Sequence, residues 1–187
     1  MEKTVTIRLR SYLQEFYTAV SGSEKASTSL KSFLGSILVL FVEYAPKNYI
    51  PSFLRGPEYF EVELVNYQAK VGPDVRGNVY INEYHFQSIE RCLLEHFDSI
   101  FYTFMDQYVG NHTIRKGKMA RSLVNDGILF FCMQHKMNYA QHFECLKKKY
   151  YRERRNREKT RSEVQDNFHE QLPQNVQNYV QLVLDFQ

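Results

Sequence analysis

The sequence predicts an α+β fold, mainly helical with a small antiparallel β-sheet, on three observations. Residues 3–10 alternate polar and apolar, the period of a half-buried strand. Between Pro73 and Pro173 no proline interrupts the chain. Within that stretch apolar residues recur every three or four positions, as on one face of a helix.

The first strand points Val5, Ile7 and Leu9 one way and Thr4, Thr6, Arg8 and Arg10 the other. Tyr12, Leu13, Phe16, Tyr17 and Val20 then predict a short helix that Gly22 ends. Ser27, Thr28 or Ser29 serves as the N-cap of a second helix through Leu30, Phe33, Leu34, Ile37, Leu38 and Phe41. Pro46, Pro51 and Pro57 break the next stretch. Phe60, Val62, Leu64 and Tyr67 mark a second strand, and Val79 and Ile81 a third. Gly72-Pro73-Asp74 and Gly77 lie between them, so an antiparallel hairpin is expected at about 58–82.

The proline-free half follows with a long helix from Phe86 through Phe97, Phe101 and Tyr108 to about Gly110. Asn111–Gly117 is a polar, basic connection, and Met119, Leu123, Ile128, Phe131 and Cys132 form another helix. A further segment from about 140 carries the strongest charge of the chain, as a helix or as a disordered arm. Val176, Tyr179, Val180, Val183 and Leu184 make the tail an amphipathic helix. These elements form one domain over 1–172, divisible into a strand-rich half (1–82), a helical half (83–146) and a basic segment (147–161), with the C-terminal helix at 173–187.

Composition narrows the function classes. A chain of 187 residues with 43% hydrophobic and 15% aromatic content has ample material for a core. Its most apolar run, Ile37–Val42, is far shorter than the roughly 20 residues of a membrane span, so no membrane partner is expected. The N-terminal residues alternate instead of forming the apolar stretch of a signal peptide. Three cysteines make an odd, sparse set that fits a reducing cytoplasm better than a disulfide framework.

The net charge of +3 hides an uneven distribution. Positions 147–161 hold nine Lys or Arg against Glu153 and Glu158, a local net of +7 on a body that sums to −4. Lys147, Lys148, Lys149, Arg152, Arg154, Arg155 and Arg157 are suited to a phosphate backbone, with Tyr150 and Tyr151 interleaved for base stacking. The bland alternative is a solvated helix whose Glu153 and Glu158 pair internally. A second basic cluster, Arg115, Lys116, Lys118 and Arg121, sits where cations oppose the helix dipole, which a bound anion or a simple loop would account for.

Val5-Thr6-Ile7-Arg8-Leu9, followed after one helix by Thr28-Ser29-Leu30-Lys31-Ser32-Phe33-Leu34, resembles the ribbon-helix-helix class of DNA-binding proteins. In that class two chains pair their strands and the polar face of the ribbon enters the major groove. The resemblance covers residues 3–42 and implies that Thr4, Thr6 and Arg8 read base edges. Pairing of the strand within its own chain is the alternative, and would make Arg8 a surface residue of an α+β sheet.

Cys132-x2-His135 and His142-x2-Cys145 offer four zinc-type ligands, but their order and six-residue gap match no common finger. Cys132, beside Phe130 and Phe131, reads better as core, and no metal or other cofactor is expected. Phosphate-binding glycine loops, nucleophile elbows and His-Glu-x-x-His are absent from the sequence. Glu95 and His96 are adjacent, so they face different directions on a helix and make a poor acid–base dyad. No enzymatic activity is expected.

The first functional expectation is therefore a nucleic-acid-binding accessory or regulatory protein of the kind carried by mobile elements and phages. It would bind nucleic acid, DNA in the first place, and oligomerise. The alternative is a structural or assembly protein of a virion or multisubunit complex, which binds protein partners through aromatic surfaces and the C-terminal helix.

Overall fold

The computed structural model describes residues 3–22, 27–29, 31–45, 56–65, 79–112 and 118–171. The strands are β1 (Lys3–Arg8), β2 (Ser27–Ser29), β3 (Val42–Tyr44), β4 (Tyr59–Val65) and β5 (Val79–Ile81). The helices are α1 (Ser11–Ser21), α2 (Phe33–Phe41), α3 (Phe86–His112), α4 (Lys118–Gln134) and α5 (Tyr139–Gln171), with a 3-10 turn at Glu83–His85 before α3. The fold is α+β and mainly helical. The tail helix expected at 173–187 falls outside the described residues.

β4 is the middle of the larger sheet, in the order β1-β4-β2. β1 runs antiparallel to it, from Lys3 opposite Leu64 to Arg8 opposite Tyr59. β2 runs parallel to its other edge, Ser27 opposite Glu63. β3 and β5 form a separate antiparallel pair, and β5 lies close beside β1. The hairpin expected at 58–82 does not form. β1 pairs along one edge of β4 and β2 pairs with Glu63–Val65 on the other, the end where a hairpin turn would start, which leaves no row of backbone donors and acceptors there for β5.

Alternation drives the sheet's burial. Val5, Ile7 and Leu9 are buried on the same face as Phe60, Val62 and Leu64 of β4, while Thr4, Arg8 and Glu61 are exposed. Gly22 ends α1 in the left-handed conformation at φ 70°, as expected from its lack of a Cβ. α2 begins later than its apolar pattern. Its N-cap is Ser32, whose hydroxyl accepts from the Gly35 N–H at 3.0 Å, because Ser27–Ser29 are committed to β2. Gly35 packs so closely on β2 that a Cβ there would lie 2.1 Å from the Ser29 carbonyl oxygen.

α3 organises the helical part. Ile89, Leu93, Phe97, Phe101, Met105 and Val109 are buried at successive steps of four. Each such step turns the stripe by about 40°, so the buried face winds around the helix. Its N-terminal half meets α1, α2 and β1, and α4 packs along it as well. Phe131 of α4 is fully buried among Phe16, Phe97, Phe101, Phe104 and His135, at centroid distances of 4.5–6.2 Å. Aromatic pairs at such distances add directional attraction to the burial of their area.

The chain divides into two compact units, Met1–Phe143 and Glu144–Gln187. The first contains both sheets and α1 to α4. The second contains the basic segment, which is continuous helix and not an irregular arm.

Candidate functional site

α5 turns the basic run into a pattern. At 100° per residue, Lys148, Arg152, Arg155 and Lys159 fall within about 60° of one another, a stripe about 16 Å long. All four are exposed. Arg154 and Arg157 lie off the stripe and are held within the helix: Arg154 Nε is 2.8 Å from Glu158 Oε1, and Arg157 Nε is 2.9 Å from Glu153 Oε1. The hydrogen bond to Glu158 pushes Arg154 further above its ordinary value. Both acids of the segment are thus spent on arginines outside the stripe, so the two alternatives left open by the sequence coexist on different faces.

Tyr150 belongs to neither face. It is only 5% exposed, together with the fully buried Leu146, on the side roughly opposite the stripe. Its ring is not presented for stacking, as the run of charges on both sides had implied. Tyr151 is half-buried. Lys147 and Lys149 flank the stripe and are also partly buried. Of the second basic cluster, Lys118 is the first residue of α4, and Arg115 and Lys116 lie outside the described residues.

β1 pairs with β4 of its own chain and has β5 along its other side. Thr4 and Thr6 are paired with Glu63 and Glu61, which places two carboxylates on the same face of the sheet. Phosphate would be repelled there. Arg8 borders a groove of about 570 Å³ with Arg10, Glu58, Glu83 and Glu90, in which Arg10 Nε is 3.2 Å from Glu90 Oε1.

The four zinc-type residues are not gathered. Cys132 is buried, and that burial, with the Glu15 charge second, pushes its thiol up to about 11. It therefore stays protonated, which disfavours metal ligation. His135 is wedged against the rings of Phe16 and Phe131, and burial lowers its pKa. His142 Nε2 lies 3.0 Å from Glu15 Oε2 without hydrogen-bond geometry, and Cys145 is exposed. Among the described residues no three His, Cys, Asp or Glu side chains are grouped to hold a metal ion.

Sequence reasoning missed two arrangements. Glu15 accepts the Asn138 N–H at 2.6 Å, tying α1 to the start of α5. His96, set aside with Glu95, meets a residue 79 positions away: Tyr17 Oη lies 3.0 Å from its Nδ1 and donates to the Leu93 carbonyl at 2.9 Å. The Phe33 ring stacks on the imidazole at 3.8 Å. No helical periodicity encodes such a pairing, and only the burial of Tyr17 among apolar neighbours signals that its hydroxyl needs a partner.

Among the described residues no helix is long and apolar enough to cross a membrane. Comparison with protein-family models, curated proteins and solved structures finds no match to this chain.

Proposed function

We propose that this protein binds nucleic acid through the cationic stripe of α5, as a non-enzymatic accessory protein of the cytoplasm. The carrying observation is the segregation of charge: four exposed cations share one face, and both acids of the segment pair with cations elsewhere. A helix that merely needed solubility would gain from acids spread evenly among its bases. A linear polyanion gains from the opposite, because each neutralised phosphate releases counterions. A membrane surface is the poorer partner, since an interfacial helix inserts an apolar face, and the apolar residues opposite the stripe, Leu146 and Tyr150, are already buried.

The assembly reading draws on one patch. Leu129, Phe130 and Met133 of α4 are exposed at helical spacing, a surface suited to a protein partner. Against it, the exposed large aromatics among the described residues, Phe33, Tyr44, Tyr84 and Phe130, come from four separate elements. That scatter favours the nucleic-acid reading.

The test is a fluorescence-anisotropy titration with random duplex and single-stranded DNA at two salt concentrations, with mass followed by light scattering. Binding that weakens steeply with salt supports the proposal. No binding to either DNA at low salt overturns it.

A further inference from the structure

A cavity of about 320 Å³ opens beside β2 and the start of α2, lined by Tyr17, His96, Phe33 and the serines 27, 29 and 32. That volume lies at the small end for a ligand site, the size of one small molecule. Among the described residues no acidic or permanently cationic side chain lines it. A charged ligand would find no counter-charge on those walls, which favours an uncharged occupant. Val20, Phe33 and Val65 keep 57%, 39% and 37% of their surface exposed around it, which gives the cavity an apolar rim over hydroxyl-bearing walls.

The hydrogen-bond chain fixes the chemistry of His96. Tyr17 has one hydroxyl proton, and burial pushes its pKa well above the ordinary range, so it keeps that proton. The Leu93 carbonyl can only accept, and it takes the proton at 2.9 Å. The 3.0 Å contact to His96 Nδ1 must then run the other way, with the imidazole N–H donating to the phenol oxygen. Burial also lowers the pKa of His96, so the ring is neutral at pH 7 and its Nε2 carries a bare lone pair. A cavity that holds an imidazole in one tautomer calls for a ligand that brings an N–H.

We infer that this cavity binds an uncharged planar heterocycle of the nucleobase class, its N–H donating to His96 Nε2 and its ring lying against Phe33. The base is either free, as in a nucleoside, or unstacked from a single strand. The Ser29 hydroxyl supplies a partner for a carbonyl or ring-nitrogen acceptor on its edge, while the Ser32 hydroxyl is held by the Ser29 carbonyl and the Gly35 N–H. This site is independent of the α5 stripe and stands without the proposed function.

The experiment titrates the full chain with adenosine, guanosine, cytidine and uridine, which carry no phosphate for the stripe to hold. Calorimetry reads affinity, and nitrogen-15 resonances of the His96 ring read tautomer and contact. The free protein is expected to show the Nδ1–H tautomer, and at least one nucleoside to saturate with a shift at Nε2. His96→Ala is expected to weaken binding at least tenfold, Tyr17→Phe about fivefold, and Arg152→Ala with Arg155→Ala not at all. A single-stranded oligonucleotide at high salt that reproduces the Nε2 shift assigns the site to a strand, and a shift with nucleosides alone assigns it to free bases. An Nε2–H tautomer in the free protein, or no saturable binding of any nucleoside, overturns the inference. Either result is reached on the wild-type chain, so it holds if the variants fail to fold.

Discussion

Replacing Arg152 and Arg155 with alanine separates a patterned interface from a merely basic one. Of the four stripe cations Lys159 is already engaged within the protein, so Lys148, Arg152 and Arg155 are counted, and three phosphate contacts give a log–log salt slope of about −2.7 on duplex DNA. Affinity should then fall roughly 40-fold between 50 and 200 mM salt. With both arginines gone one contact remains, the slope shrinks to about −0.9, and the same change in salt costs only roughly threefold. Arg154→Ala with Arg157→Ala removes the same formal charge from side chains already paired with Glu158 and Glu153. Its slope should stay within about half a unit of the unaltered protein's. Alanine favours helix at all four positions, so the helix survives in both variants. Fluorescence anisotropy across five salt concentrations measures the slopes, with circular dichroism confirming the helix. Equal flattening in both variants would show that affinity follows total charge and would refute the reasoning from the stripe.

Phe131→Ala empties the centre of the aromatic cluster and is expected to cost about 3–5 kcal/mol, read as a lowered denaturant midpoint at unchanged m-value. Gly35→Ala drives a methyl into the Ser29 carbonyl and should cost about 2 kcal/mol or more, against the gain a Gly-to-Ala change brings in an open helix. His96 and His135 have pKa values lowered by burial, so the unfolded chain takes up protons more readily than the folded one. Their contribution to stability is whole above about pH 6.5 and is lost as pH falls through the folded values. Unfolding free energy should therefore drop from pH 7.5 to pH 5.5, and less so in His135→Gln, whereas a rise on acidification would contradict the burial of these rings.

Periodicity made β1, α1, α3 and α4 legible, since each carries enough apolar residues at one spacing for the pattern to outweigh local exceptions. β2 was illegible. Ser27-Thr28-Ser29 has neither alternation nor apolar character, and it becomes a strand because β4 has an open edge and Gly35 lets α2 press against it. The same contact moved the helix cap from the Ser27–Ser29 stretch to Ser32. In the basic segment the sequence displayed the charges but not their phase, so Tyr150 read as available when its angular position buries it. His96 could not be read at all, because its meaning lies in a tyrosine from another helix.

The spacing 4-3-4 along α5 has a consequence for which changes this segment tolerates. Exchanging lysine for arginine at any stripe position leaves the line of charge where it was. Inserting one alanine after Arg152 leaves composition, net charge and helix propensity essentially untouched, yet it rotates Arg155 and Lys159 by about 100° relative to Lys148 and Arg152. It also stretches the Arg154 and Glu158 pair by nothing, since both lie beyond the insertion. The segment is thus tolerant of spelling and intolerant of frame, as a screw thread survives a change of metal but not a skipped turn.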